Sequence, residues 1–365
     1  MHKPKTRSPR TPTAIEERKR SHLELCEKAP VEHPEKTTLL EEVDFIHNAL
    51  PELRIEDLSL CTDFLGKTLQ APFLITGMTG GAPEAFTINR DLAAVAERCG
   101  IAFGLGSQRA MQHEPELAWT YQVRKFAPTT VILANIGLTQ AAQTPTSALR
   151  ELVDSVDADG LCIHLNAAQE LMQPEGDRDF RGGYDTINRI ANELDVPLIV
   201  KETGCGISPL VAHRLQDVGV RYVDVSGAGG TSWVRVESFR SAGEAAELGE
   251  QFASWGIPTA AALLALRGSP LRRIASGGLR NGVDAAKALA LGADLCGMAL
   301  PVFRAYRAGG KDQAEAFIGQ CIRGLRTAML LTGSRSVAEL QHQPLVIGPR
   351  LEAWLRALET AQGRK

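Results

Sequence analysis

The residues with the clearest chemical capacity lie together in "GLCIHLNAAQE", Gly160 to Glu170. The front half is an apolar run of the kind that becomes a buried strand. The back half carries an imidazole at His164, carboxamides at Asn166 and Gln169, and a carboxylate at Glu170. An imidazole can carry a proton, and carboxamides hydrogen-bond without charge. Burying such groups costs free energy unless each is paired. The cluster is therefore either a satisfied network tying strand to helix or a site.

Other positions share its setting, at the end of an apolar run. Lys201 closes "PLIVKE". It is either a lysine snorkelling from a rim or a buried cation facing an anionic cofactor. A reduced flavin ring is such a cofactor, because negative charge gathers near its N1. Thr79, Ser107, Asn135, Ser226 and Thr231 are short polar groups suited to a flat heterocycle and a ribityl chain. Each alone is at home as a cap or turn residue; on one rim together they suggest FMN. Gly277, Gly278 and the turn at Met298–Ala299 can cradle a phosphate with backbone N–H groups. Near the N-terminus, "ERKRSH" groups Arg18, Lys19, Arg20 and His22. That run is a solvated basic face or a grip on a second phosphate group, to which Arg109 adds a guanidinium.

These residues need one framework to bring them together. From about residue 72 the chain repeats a unit: an apolar run, a Gly-rich or polar turn, then an Ala/Leu-rich helical pattern. The runs are 73–77, 101–106, 131–137, 160–166, 197–202, 222–227, 272–278 and 295–299. Such alternation predicts parallel strands with crossover helices. Eight units fit an α/β fold of the closed (β/α)8 TIM-barrel type, and an open doubly wound sheet is the alternative. The barrel is preferred because nearly every run ends in polar residues, and a barrel gathers all those ends at one mouth. We expect a disordered basic tail at 1–14, an N-terminal segment supplying substrate-binding residues at 15–72, the barrel at 73–335 and a closing segment at 336–365. The last includes the amphipathic "RLEAWLRALETA".

Composition narrows the function classes. The chain has 365 residues, 44% hydrophobic and 23% charged, with a net charge of −3. That balance speaks against a broad nucleic-acid surface. No apolar run approaches the roughly 18 residues of a membrane span, so no membrane partner is expected. Seven cysteines without a C-x-x-C read as reduced thiols in a cytoplasmic protein.

The combination "RKRSH", "TGMTGG", "GSQRA", "HLNAAQE", "KETGCG", "GAGGTSW", "SGGLR" and "GMALP" resembles the type 2, FMN-dependent isopentenyl-diphosphate isomerases, from about Arg18 to Arg335. The resemblance implies reduced FMN, Mg2+, NAD(P)H as activating reductant, and a homotetramer or homo-octamer that interconverts isopentenyl and dimethylallyl diphosphate. It implies that Arg18, Lys19 and His22 hold the diphosphate with Ser107, Gln108 and Arg109. Met78, Thr79, Gly80, Ser107, Asn135, Lys201, Ser226 and Thr231 would contact FMN, with Gly277, Gly278, Ala299 and Leu300 at its phosphate end. Gln169 would reach the substrate and Glu170 the magnesium ion. Asn166 and His164 would add hydrogen bonds to the substrate, or His164 would carry a proton.

Moving a double bond requires protonating an alkene, a poor base, so positive charge builds at a tertiary carbon. At about 4 Å and an effective dielectric near 20, one opposite charge offsets roughly 4 kcal/mol, about a thousandfold in rate. Glu237 is a candidate auxiliary acid or base, and Trp233 either shields the cation or fills core. Two other classes stay open: an FMN-dependent 2-hydroxyacid oxidase, and a non-catalytic flavin- or phosphate-binding barrel. The first needs a late histidine base, and "RRIASGGLRNG" contains none. The second does not account for Gln169 and Glu170.

Overall fold

The computed structural model describes residues 14–363. All eight expected runs become parallel strands: β1 (Phe73–Ile75), β2 (Ala102–Gly104), β3 (Ile132–Gly137), β4 (Gly160–Leu165), β5 (Leu198–Glu202), β6 (Tyr222–Asp224), β7 (Arg272–Ala275) and β8 (Leu295–Met298). They close in sequence order, with β8 pairing β1 and β6 pairing β7. The TIM barrel is therefore observed and the open sheet is not.

Strand side chains alternate between two faces, and both faces are apolar because helices cover the outside. Leu74, Ala102, Leu133, Cys162, Ile199, Ile274 and Leu295 fill the bore. A hairpin of Thr62–Phe64 and Lys67–Leu69 closes the bottom, with Phe64 and Leu69 in that same cluster. Phe73, Ile75, Phe103, Ile132 and Ile163 belong to the outer core beneath the helices.

Glycine and short polar caps punctuate the helices. The helix Pro83–Cys99 ends on Gly100, whose φ of 61° is left-handed. Asn281 caps Gly282–Ala290 by accepting from the N–H groups of Val283 and Asp284 at 2.8 and 2.9 Å. The helix Leu300–Thr332 breaks at Gly309–Gly310.

The segments outside the barrel are more integrated than the sequence suggests. Val43–Phe45 and Leu345–Ile347 pair antiparallel, so the segments before and after the barrel are joined. The expected C-terminal helix is present as Pro349–Gly363. The expected tail lies outside the described residues except for Ala14, where the first helix, Ala14–Lys28, begins. This helix lies across the mouth. Arg304, from the helix after β8, donates to the carbonyls of Cys26 and Ala29 at 3.0 and 2.9 Å. All seven cysteines are free, and four are buried. Among the described residues no helix is long and apolar enough to cross a membrane.

Candidate active site

The mouth holds a cleft between the ends of β1, β5, β6, β7 and β8, enclosing about 710 Å³ with its opening included. Eight of the expected cofactor residues line it: Met78, Lys201, Ser226, Thr231, Gly277, Gly278, Ala299 and Leu300.

The phosphate end is built of bare backbone. Gly277 and Gly278 have φ of +91° and +98°, which L side chains rarely adopt. A Cβ at Gly277 would run into the carbonyl of Gly227, and one at Gly230 into the amide of Gly278. Next to them the helix Leu300–Thr332 presents an N-terminus with Pro301 in its first turn and no side-chain cap. A phosphate suits such unsatisfied donors.

At the other end Lys201 donates to the carbonyl of Glu202 at 2.7 Å. Its cross-strand partner is Asp224, which accepts from Ser226 N–H at 3.1 Å and Ser276 Oγ at 2.6 Å. Burial pushes the Asp224 carboxyl up, against the Lys201 charge. Glu202 turns the next loop: its Oε2 accepts from the N–H groups of Thr203, Gly204 and Cys205. Burial raises its carboxyl to about 7 against those three bonds. A cation at one end, neutral polar groups between and an anion cradle at the other are the donor set an FMN needs.

Four expected cofactor residues stand elsewhere. Thr79 lines an adjoining cavity beneath the N-terminal helix. Gly80 and Ser107 accept at their carbonyls from Lys19 Nζ, at 3.2 Å for Ser107. Asn135 donates to the carbonyl of Leu105 at 2.9 Å, so its Oδ1 faces His164 Nδ1, also at 2.9 Å. Nδ1 then carries the ring hydrogen. Burial, with the charges of Lys201 and Arg109, lowers His164 to about 3. The imidazole is neutral and keeps a lone pair at Nε2.

The basic run divides by helix face. Arg20 points to solvent and pairs with Glu24 at 3.4 Å, while Arg18, Lys19 and His22 point inward. Lys19 is half-buried and also bonds Tyr121 OH at 2.8 Å; desolvation and then Arg18 lower it to about 7. Burial and then the Arg109 charge hold the Arg18 guanidinium below its ordinary value. Arg109 keeps a buried Nε without a partner. Two crowded guanidiniums, one unsatisfied, form a place for an anion.

Glu237 is fully buried and ties this run to the opening cluster. Its Oε1 accepts from His22 Nε2 at 2.8 Å, Gln169 Nε2 at 3.1 Å and Gln173 Nε2 at 2.8 Å, and Oε2 pairs with Arg240. Burial works against the charge, but the bonds from His22 and Gln169 and the Arg240 charge outweigh it and hold Glu237 at about 2. Burial keeps His22 below its usual value, against the hydrogen bond and charge of Glu237. Trp233 stands edge-on to His22, centroids 5.2 Å apart, and lines the cleft.

Glu170 is buried, with Oε1 accepting from Asn166 Nδ2 at 2.8 Å and Oε2 from Asp177 N–H at 2.9 Å. Among the described residues no group of three or more His, Cys, Asp or Glu could hold a metal. One carboxylate fits Mg2+ when waters and a substrate phosphate complete the shell. Gln108 faces the core: it accepts from Asn135 N–H at 2.9 Å and donates to the Leu152 carbonyl at 3.3 Å. Sequence reasoning missed Gln173 and Arg240. Both were within reach, since Gln173 lies four residues after Gln169, just past the end of the same helix, and Arg240 three after Glu237 on one helix face. Tyr121, Glu202 and Asp224 carried no such signal.

Residues 122–347 match the family model described as FMN-dependent dehydrogenase. An isopentenyl-diphosphate delta-isomerase of Methanothermobacter thermautotrophicus is 43% identical over 350 residues, 95% of this chain and 98% of that protein. Another, of Synechococcus sp., is 45% identical over 342 residues, covering 92% and 97%. Among solved structures, a flavocytochrome b2 variant superposes with a TM-score of 0.67 at 19% identity, covering 92% of this chain and 84% of that one. A mandelate oxidase mutant with a monooxide FMN adduct gives 0.60 at 18%, covering 86% and 90%. At such identities the likeness is one of fold.

Proposed function

We propose, for a chain that belongs to the isopentenyl-diphosphate delta-isomerase family, that it interconverts isopentenyl and dimethylallyl diphosphate in isoprenoid biosynthesis, with reduced FMN and Mg2+. The observation that carries this reading is the single network joining Arg18, His22, Gln169 and Glu237 beside a cleft suited to FMN.

Arg18 and Arg109 take the diphosphate, whose charge relieves their mutual repulsion. His22 and Lys19 brace the helix that carries Arg18, one against Glu237 and the other against the β1 and β2 loops. Glu170, aimed by Asn166 and Asp177, would hold Mg2+, which would offset the charge of the diphosphate. Remote binding of this kind fixes the five-carbon unit over the reacting centre. Bound and reduced, FMN supplies an electron-rich face and an exchangeable N5 hydrogen beside the developing cation. Lys201 balances charge at the ring. Glu237 stays ionised and saturated with donors, so its role is to orient Gln169 toward the substrate. His164 keeps a neutral ring whose Nε2 lone pair can accept a hydrogen bond or a proton.

The resemblance also supports NAD(P)H as the activating reductant, a homotetramer or homo-octamer, and a cytoplasmic setting. Anaerobic bleaching of the flavin by NADPH or NADH, and light scattering, test the first two. The test of the function compares dimethylallyl diphosphate formation by air-oxidised and photoreduced holoenzyme with no nicotinamide present. Turnover is expected only in the reduced sample. Equal rates would mean that the flavin is structural and that side chains such as Glu237 or His164 move the protons.

A further inference from the structure

We propose that residues 173–180 form an outer clamp on Glu170, in which Asp177 and Arg178 set the direction of the carboxylate from outside the cleft. This rests on the reading that Glu170 binds the metal.

Glu170 sits on a helix of six residues, Ala167–Met172. So short a helix is unstable alone, and its last carbonyls lack intrahelical partners. The following segment doubles back and supplies what is missing. The Arg178 guanidinium donates to the carbonyls of Glu170 and Gln173, the latter at 2.6 Å, and to those of Gly176 and Asp177 at 3.1 and 3.2 Å. One cation thus plugs the helix end and fixes the turn after it, the placement that favours positive charge at a helix C-terminus.

The turn in turn aims the side chain. Asp177 N–H donates to Glu170 Oε2 at 2.9 Å, opposite the Asn166 bond to Oε1. Each carboxylate oxygen keeps a lone pair for a cation. Asp177 is itself tethered, because its Oδ2 accepts from Thr139 Oγ1 at 2.7 Å and Gln140 Nε2 at 2.9 Å, both from the helix after β3. Gly176 passes so close that a Cβ there would collide with the Glu170 carbonyl. The same segment reaches the phosphate side, since Glu175 lies 3.7 Å from both Arg18 and Arg240. Neither Asp177 nor Arg178 lines the cleft. They are positioning residues, acting through Glu170.

The test measures metal binding directly on FMN-loaded protein. Mn2+ is titrated in the presence of inorganic pyrophosphate, and bound ion is read from loss of the free-ion EPR signal. Arg178→Lys offers one ammonium where the guanidinium spans four carbonyls, and Asp177→Ala cuts the tether. Each is expected to weaken Mn2+ binding about tenfold, the low end for outer partners of a metal ligand, with an unchanged flavin spectrum. Asp177→Asn keeps an oxygen that can accept both bonds and should stay within about twofold of the parent. Parent-like Mn2+ binding in both Arg178→Lys and Asp177→Ala, while Glu170→Gln loses the ion, overturns the clamp and leaves the metal site standing. Parent-like binding in Glu170→Gln removes the metal site and the clamp with it.

Discussion

At the lower end of the barrel, Phe64 and Leu69 cover Leu74, Leu133, Ile199 and Leu295, and none of these side chains is more than 3% exposed. At the mouth, Thr79 Oγ1, Arg109 Nε and Asp224 Oδ2 are just as buried but have no hydrogen-bond partner. The first region is complete without anything added. The second carries a desolvation cost of about 1–3 kcal/mol for each unpaired group, which a bound cofactor and substrate can offset. Both ends draw on the same strands, so a change of a few residues along one strand moves a substitution from a stability site to a chemical one.

That contrast can be broken in four ways. The largest effect is expected at the mouth. Glu170→Gln should lower kcat/KM for isopentenyl diphosphate about a thousandfold, roughly 4 kcal/mol, while the urea midpoint and flavin spectrum hold. A parent-like value at limiting Mg2+ would remove Glu170 from the site. At the lower end the signs reverse. Leu133→Ala should cost about 3–4 kcal/mol of stability and leave the turnover of folded, FMN-loaded enzyme within about twofold.

Acid stability separates the regions more finely. The folded Glu237 carboxyl lies near 2, below its ordinary value. Its contribution is therefore fully present above about pH 4.5 and is lost as pH falls toward 2, on the order of 3 kcal/mol at most. Chemical denaturation across that window should show the parent losing stability faster than Glu237→Gln; parallel curves would show that the carboxylate is not held low. The smallest effect belongs to Thr79. Thr79→Val removes a hydroxyl that nothing satisfies, so FMN-free protein should be unchanged or slightly more stable. Substrate affinity should fall by about 1 kcal/mol, a factor near five. A loss of apo stability with unchanged affinity would place that hydroxyl in the fold.

The same contrast explains what the sequence disclosed. All eight strands were legible, because each pairs a β-branched or apolar run with a glycine-rich or polar ending. The lower plug was not, since Thr62–Phe64 and Lys67–Leu69 are three residues each and too short to show a period. The same holds for Val43–Phe45 and Leu345–Ile347, which find each other across nearly the whole chain. At the mouth, residue types gave the chemistry and positions gave the rim. Direction was hidden: nothing in "SQR" tells that Gln108 turns into the core while Arg109 keeps an unpaired nitrogen. Nor does "ERKRSH" alone show that Arg20 faces water and its neighbours face the mouth. The inward-facing outcomes depend on distant partners, 27 and 44 residues from Gln108, 102 from Lys19 and 215 from His22.

The N-terminal helix Ala14–Lys28 has a consequence for how the protein comes into being. Its bonds reach Glu237 and Arg304, 215 and 278 residues downstream of His22 and Cys26. A ribosome releases that helix long before its anchors, and closing so long a loop is slow. During synthesis the helix has no surface to dock on, and the barrel strands must form their ring before it can settle. The lower half of the molecule can therefore mature first, and competence for chemistry arrives as a late event in folding. A folding block late in the chain would yield a protein that is largely structured yet has an open mouth.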